Sequence, residues 1–168
     1  MPEYFDISLL SERVKNNSSI EDMFQKQFNL HMGKNFLKNS TWEIFNNKEV
    51  LISKYEFDEC EYVEYTLSFP EQVFHKKAFS REIEPFIKFI GACLNSNKNI
   101  KIGLGSYELN GYLLSQIKTL IEITDDFLLN FPIVFIKSNS QFDRKDLNAK
   151  LVNNVKLIVN EEAQEIFK

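Results

Sequence analysis

Cysteine is scarce in this chain of 168 residues: Cys60 and Cys93 are the only two. Two thiols cannot build the disulfide framework that staples small secreted folds, so each reads as a small buried hydrophobe. Histidine is as rare. His31 and His75 stand alone, and neither lies at metal-ligand spacing from a cysteine, so no zinc site is expected. Long hydrophobic runs are missing as well. Spanning a bilayer takes about 20 apolar residues, and the densest run here, Phe131–Ile136, is short and contains Pro132. The opening MPEYFDISLL carries acids where a secretory signal carries lysines and has no apolar core segment. These features point to the cytoplasm and to no membrane partner. A basic excess is absent too: 20 Lys and Arg face 24 Asp and Glu, a formal net charge of −4. Nonspecific nucleic-acid binding depends on clustered cations, so nucleic acid is not an expected partner.

What the chain has is an ordinary globular composition, with 43% hydrophobic and 26% charged residues, and sixteen Phe against one Trp. That is enough apolar surface for one aromatic-rich core, and no repeat, linker or low-complexity tract divides it. We expect a single domain over residues 1–168. Tyr4–Leu10 fits a strand or a short helix. A helix is expected from about 19 to 31, capped by Ser18 or Ser19 and ended by Gly33. Thr41–Phe69 reads as a meander of three antiparallel strands with tight turns at Asn46-Asn47 and Asp58-Glu59. Alternation puts Val63, Tyr65, Leu67 and Phe69 inward and Tyr62, Glu64 and Thr66 outward, as on a sheet with one wet face.

After Pro70, Ser80 opens a helix whose Ile83, Phe86, Ile87, Ile90, Cys93 and Leu94 share one face. Strands at Ile100–Leu104, Pro132–Ile136 and Val155–Val159 then alternate with helices at Asn110–Ile123, Asp143–Leu151 and Glu161–Phe167. Ile121 is placed on the buried side of the first of these. The fold class is therefore α+β: an N-terminal helix and an antiparallel three-strand meander, followed by alternating helices and strands in a mixed sheet.

The meander holds the most distinctive charge pattern. Seven acids (Glu43, Glu49, Glu56, Asp58, Glu59, Glu61 and Glu64) face only Lys48 and Lys54, so the stretch is more negative than the whole chain. The acids lack the spacing of a calcium loop or of a metal nuclease, and no metal or cofactor is expected. Acids around Cys60 disfavour its thiolate and with it cysteine catalysis. A solvated face that discourages edge-to-edge aggregation and a protein-binding face both fit. Tyr62 adds the rigid contact that interfaces use, while acids steer a basic partner.

The remaining enzyme-like feature is Gly103-Leu-Gly105-Ser-Tyr-Glu-Leu-Asn-Gly111, between a strand and a helix. Its third glycine is misplaced for a dinucleotide fingerprint and no P-loop lysine follows. The plain alternative is a turn that needs positive φ at Gly105, capped by Asn110.

With its acidic, tyrosine-bearing meander Glu43–Glu64 and no catalytic set, the chain resembles in general character the immunity proteins of bacterial polymorphic and contact-dependent toxin systems. That resemblance implies a non-enzymatic protein that binds a cognate toxin domain, often a basic nuclease, and blocks its active site. It makes Glu56, Asp58, Glu59, Glu61, Tyr62 and Glu64 the expected contact set. The competing readings are a small enzyme or nucleotide-binding domain using the Gly103–Gly111 turn, and a structural subunit of a larger assembly.

Overall fold

The computed structural model describes residues 4–13, 22–24, 26, 40–45, 48–70, 79–107, 109, 113, 116–138, 140–143, 149–152 and 154–159. Its centre is the strand that the sequence left ambiguous. β1 (Tyr4–Glu12) runs between two antiparallel neighbours, pairing Leu9 with Tyr65 on one side and with Gly103 on the other. Its alternating Phe5, Ile7 and Leu9 against Asp6, Ser8 and Leu10 supply both faces, and all six are buried. A residue string with polar groups on alternate positions forms a central strand because those groups meet partners across the ladder.

The strands β2 (Ser40–Phe45), β3 (Lys48–Tyr55) and β4 (Tyr62–Pro70) form the expected meander. They are followed by α1 (Phe79–Ser96), β5 (Ile100–Tyr107), a short α2 (Asp125–Leu129), β6 (Ile133–Lys137), β7 (Ala149–Val152) and β8 (Val155–Val159). The eight strands make one sheet in the order β2-β3-β4-β1-β5-β6-β8-β7. The α+β class holds. Every described pairing is antiparallel, however, so the sheet is not mixed. β4 and β5 run in the same direction on either side of β1, so the α1 connection crosses over β1, and β1 inserted between them makes both pairings antiparallel.

One face of the sheet packs on α1. Phe86, Phe89, Ile90, Cys93 and Leu94 meet Phe5, Ile7, Leu9, Tyr65, Leu67 and Phe69 in one cluster, and the Phe69 and Phe86 rings stand edge-on at 4.5 Å. Pro85 lies within α1 and has no N–H for the carbonyl one turn back, and the helix continues past it. Asn97 ends that segment: its backbone carbonyl accepts from Ile100 N and its side chain from Asn99 N.

The opposite face is also covered, which corrects the one-wet-face expectation. Leu10, Tyr62, Ile102, Leu104, Val134 and Ile136 pack beneath Leu113, Ile117, Leu120, Leu128 and Phe131. Of the helix expected at Asn110–Ile123, Leu113 and Gln116 are helical, Leu120–Glu122 is a 3-10 turn, and α2 follows as an additional helix. The C-terminal part of the helix expected at Asp143–Leu151 is instead β7, an edge strand on β8. In the N-terminal helix, Asp22–Phe24 and Lys26 are helical. The turn at Asn46-Asn47, the final helix, both histidines, Gly33, Gly111 and the cap residues Ser18, Ser19 and Asn110 lie outside the described residues.

Candidate protein-binding surface

Alternation along β4 separates the two sets of side chains as expected, but neither set is wet. Tyr62, Glu64 and Thr66 are each 0% exposed. Ser8 Oγ donates to Glu64 Oε1 at 2.6 Å, and Thr66 Oγ1 donates to the same oxygen at 3.1 Å. Nearby, Asp6 Oδ2 accepts the Leu109 N–H at 2.6 Å. The Tyr62 hydroxyl lies 2.8 Å from Ile117 O and 3.1 Å from Leu113 O, so its ring is a clamp between the sheet and the layer above it. Burial first, and Glu64 next, push the Tyr62 phenol far above its ordinary value. Burial likewise raises Tyr55. Tyr62 and Glu64 therefore leave the expected contact set. Within this buried row Ser8 and Thr66 satisfy one oxygen of Glu64, and the Leu109 N–H satisfies one oxygen of Asp6.

The other four members, Glu56, Asp58, Glu59 and Glu61, come together on the six-residue connection between β3 and β4, all exposed. Asp58-Glu59 forms the turn, closed by a bond from Cys60 N to Phe57 O at 3.0 Å. Cys60 is buried beneath it, which fixes the loop to the core. Burial and then Glu59 push its thiol above the ordinary value, as the neighbouring acids led us to expect. Phe57 emerges among the carboxylates, 44% exposed. Glu56, Phe57, Asp58 and Glu59 line a shallow hollow of about 430 Å³.

Two elements distant in sequence hold this loop still. Arg13, just beyond β1, donates from its backbone N to Glu61 O at 3.0 Å and from its guanidinium to Phe57 O at 2.5 Å. The same guanidinium pairs with Glu56 at 3.4 Å and Asp58 at 3.9 Å. On the other side, Glu61 N donates to Lys118 O at 2.9 Å, and Lys118 Nζ pairs with Glu59 at 3.5 Å. Lys54 is a further partner for Glu56 at 3.4 Å. Exposed pairs of this kind contribute little stability, about 0–1 kcal/mol each. Their effect is to give the loop one shape.

Lys118 also joins the loop to a second exposed feature. Glu122 accepts from Thr119 N and Thr119 Oγ1, both at 2.9 Å, and these bonds, the side-chain one foremost, lower its pKa. This capping box holds the 3-10 turn that presents Ile121, 88% exposed, where a continuous helix would have buried it. Ile121, Arg13 and Lys118 are the residues that reading by periodicity missed. The available signal was Thr119-x-x-Glu122 followed by Thr124, two helix starts inside one supposed helix.

Gly103 and Gly105, the described glycines of the Gly103–Gly111 segment, do not stand in a turn. Gly103 and Gly105 lie inside β5, and neither has positive φ. A Cβ on Gly105 meets Ile133 Cβ and Phe5 Cε1 at 3.1 Å, and one on Gly103 meets Leu9 at 3.2 Å. Neighbouring side chains occupy the space that a Cβ would take at each of these glycines. Cys93 is core, its thiol raised by burial. Among the described residues no three His, Cys, Asp or Glu gather as metal ligands, and no helix is long and apolar enough to cross a membrane. No family model matches this chain, and no curated protein or solved structure matches it either.

Proposed function

We propose that this chain is a non-enzymatic protein-binding domain whose contact surface is the β3–β4 loop together with the Thr119–Glu122 turn. The observation that carries the reading is Phe57, half-exposed amid Glu56, Asp58, Glu59 and Glu61, on a loop tied to Arg13 and Lys118. A fixed aromatic inside a ring of carboxylates suits a basic partner: the acids steer and orient it, and the ring supplies buried area once water leaves. Pre-organisation supports affinity, because little loop entropy is lost on docking. The hollow beside Phe57 has room for an inserted Lys or Arg side chain.

The specific form we favour is an immunity protein acting in the cytoplasm, neutralising a cognate bacterial toxin domain that is itself basic, such as a nuclease. Its test is capture from the native host with the wild-type chain and with Asp58→Lys/Glu59→Lys/Glu61→Lys, at low and high salt. A single basic protein retained by the wild type, weakened by salt and lost with the variant supports the reading. Equal capture by both chains refutes it.

A further inference from the structure

At the same end of the sheet as the acidic loop, but beyond β1, lies a groove of opposite character. It is bounded by the helical residues Asp22, Met23 and Lys26, the C-terminal end of α1, the start of β5 and the end of β6, with a volume of about 830 Å³. That volume is within the usual range for small-molecule sites. Lys26, Lys98 and Lys137 line it together with Asn97 and Asn99, and Asp22 is the one acid among the described residues. Among the described residues none of the three lysines lies within ion-pair distance of a carboxylate; Lys101, by contrast, pairs with Glu12 at 3.1 Å. A second cavity of about 180 Å³ shares Lys98 and Lys137 and continues the groove toward Lys101 and Gln141.

Three ammonium groups around one groove repel one another. The C-terminal carbonyls of α1 offset part of this, since that end of a helix carries partial negative charge. They account for Lys98, which follows α1 directly, but not for Lys137, which arrives from β6. The backbone that presents Lys98 is fixed: Asn97 accepts from both Asn99 N and Ile100 N, and Asn99 O accepts from Glu12 N at 2.9 Å. Amide side chains beside lysines provide hydrogen bonds to oxygen ligands without adding charge.

We propose that this groove is an anion site for a phosphate ester carrying at least two phosphoryl groups, held by Lys98 and Lys137 with Lys26 at the rim. Lysine is a suitable point charge for phosphate, and Lys98 and Lys137 reach the groove from two different elements, one for each phosphoryl group. The source is either a free nucleotide or a polynucleotide backbone, which share this chemistry.

The test is titration of the full chain, followed by calorimetry and amide NMR, with pyrophosphate, ATP, adenosine and a short single-stranded oligonucleotide at low salt. We expect pyrophosphate and ATP to bind with amide shifts at residues 95–99 and 137, adenosine to leave them unmoved, and salt to weaken both. Lys98→Gln and Lys137→Gln, at positions outside the core, each weaken binding by about fivefold. Binding of the oligonucleotide alone, with the same loss in both variants, assigns the site to a polynucleotide. Three results overturn the proposal: no binding of any phosphate, equal binding of adenosine, or self-association that Lys98→Gln abolishes while phosphate has no effect. The last places a second copy's acidic loop in the groove.

Discussion

Replacing Gly105 by Ala adds a single methyl group at the centre of β5, and the structure fixes the direction of its effect. The new Cβ falls 3.1 Å from Ile133 Cβ and 3.1–3.2 Å from the edge of the Phe5 ring. Ile133 Cβ is attached to the backbone of β6, which is held between β5 and β8, so it cannot swing aside. Phe5 also meets Tyr107 edge-on at 5.2 Å and is buried, which limits how far its ring can move. Overpacking of this kind costs about 1–3 kcal/mol. Since Gly105 does not need positive φ, alanine also stiffens the unfolded chain and recovers about 0.5–1 kcal/mol. The net expectation is a loss of about 1–2 kcal/mol. In urea, with a slope of about 2 kcal/mol per molar, the midpoint falls by about 0.5–1 M while the slope is unchanged. A neutral or stabilised Gly105→Ala variant refutes the packing account of these glycines and restores the possibility that they serve a ligand.

Further outcomes follow from the two buried layers. Tyr62→Phe removes the hydroxyl that reaches Ile117 O and lowers stability by about 1 kcal/mol in denaturant melts. The same variant has an alkaline signature. The folded phenol is raised above its ordinary 10.0, so the native state holds its proton while the unfolded chain releases it. Stability is intact below about pH 10 and declines above it, by up to about 1.4 kcal/mol per pH unit for this group, and Tyr62→Phe loses that part of the decline. Ser8→Ala takes a 2.6 Å donor from Glu64 and costs about 1–3 kcal/mol by chemical unfolding. Arg13→Gln shifts global stability by less than about 1 kcal/mol, its ion pairs being partly exposed. Amide exchange at Cys60 and Glu61 nevertheless quickens, because the loop loses its brace.

The parts legible in the sequence were those written in local pattern. Strand alternation in Thr41–Phe69, the apolar stripe of α1 and the unbroken run Ile133–Ile136 each specify an element and its period. The Asp58-Glu59 turn placed four of the six expected contact residues correctly on the surface. Alternation could not say that both faces of β4 are covered, because the cover on Tyr62 comes from Leu113 and Ile117, about fifty residues away. Tyr4–Leu10 resisted assignment for a related reason. Its Asp6 and Ser8 are intelligible in a buried strand only once Leu109 and Glu64 are beside them. Gly103 and Gly105 misled because spacing records where side chains are absent, not what fills the space.

The measurement that tests the central claim most directly is the affinity of the captured basic partner for the wild type, Phe57→Ala and Glu59→Lys/Glu61→Lys, by calorimetry at two salt concentrations. The account predicts that Phe57→Ala weakens binding by at least tenfold, the range of an interface anchor, with the salt dependence kept. It predicts that the charge reversal weakens binding and flattens the salt dependence, with all three chains equally stable. Unchanged affinity and salt dependence in both variants would contradict the assignment of this loop as the contact surface.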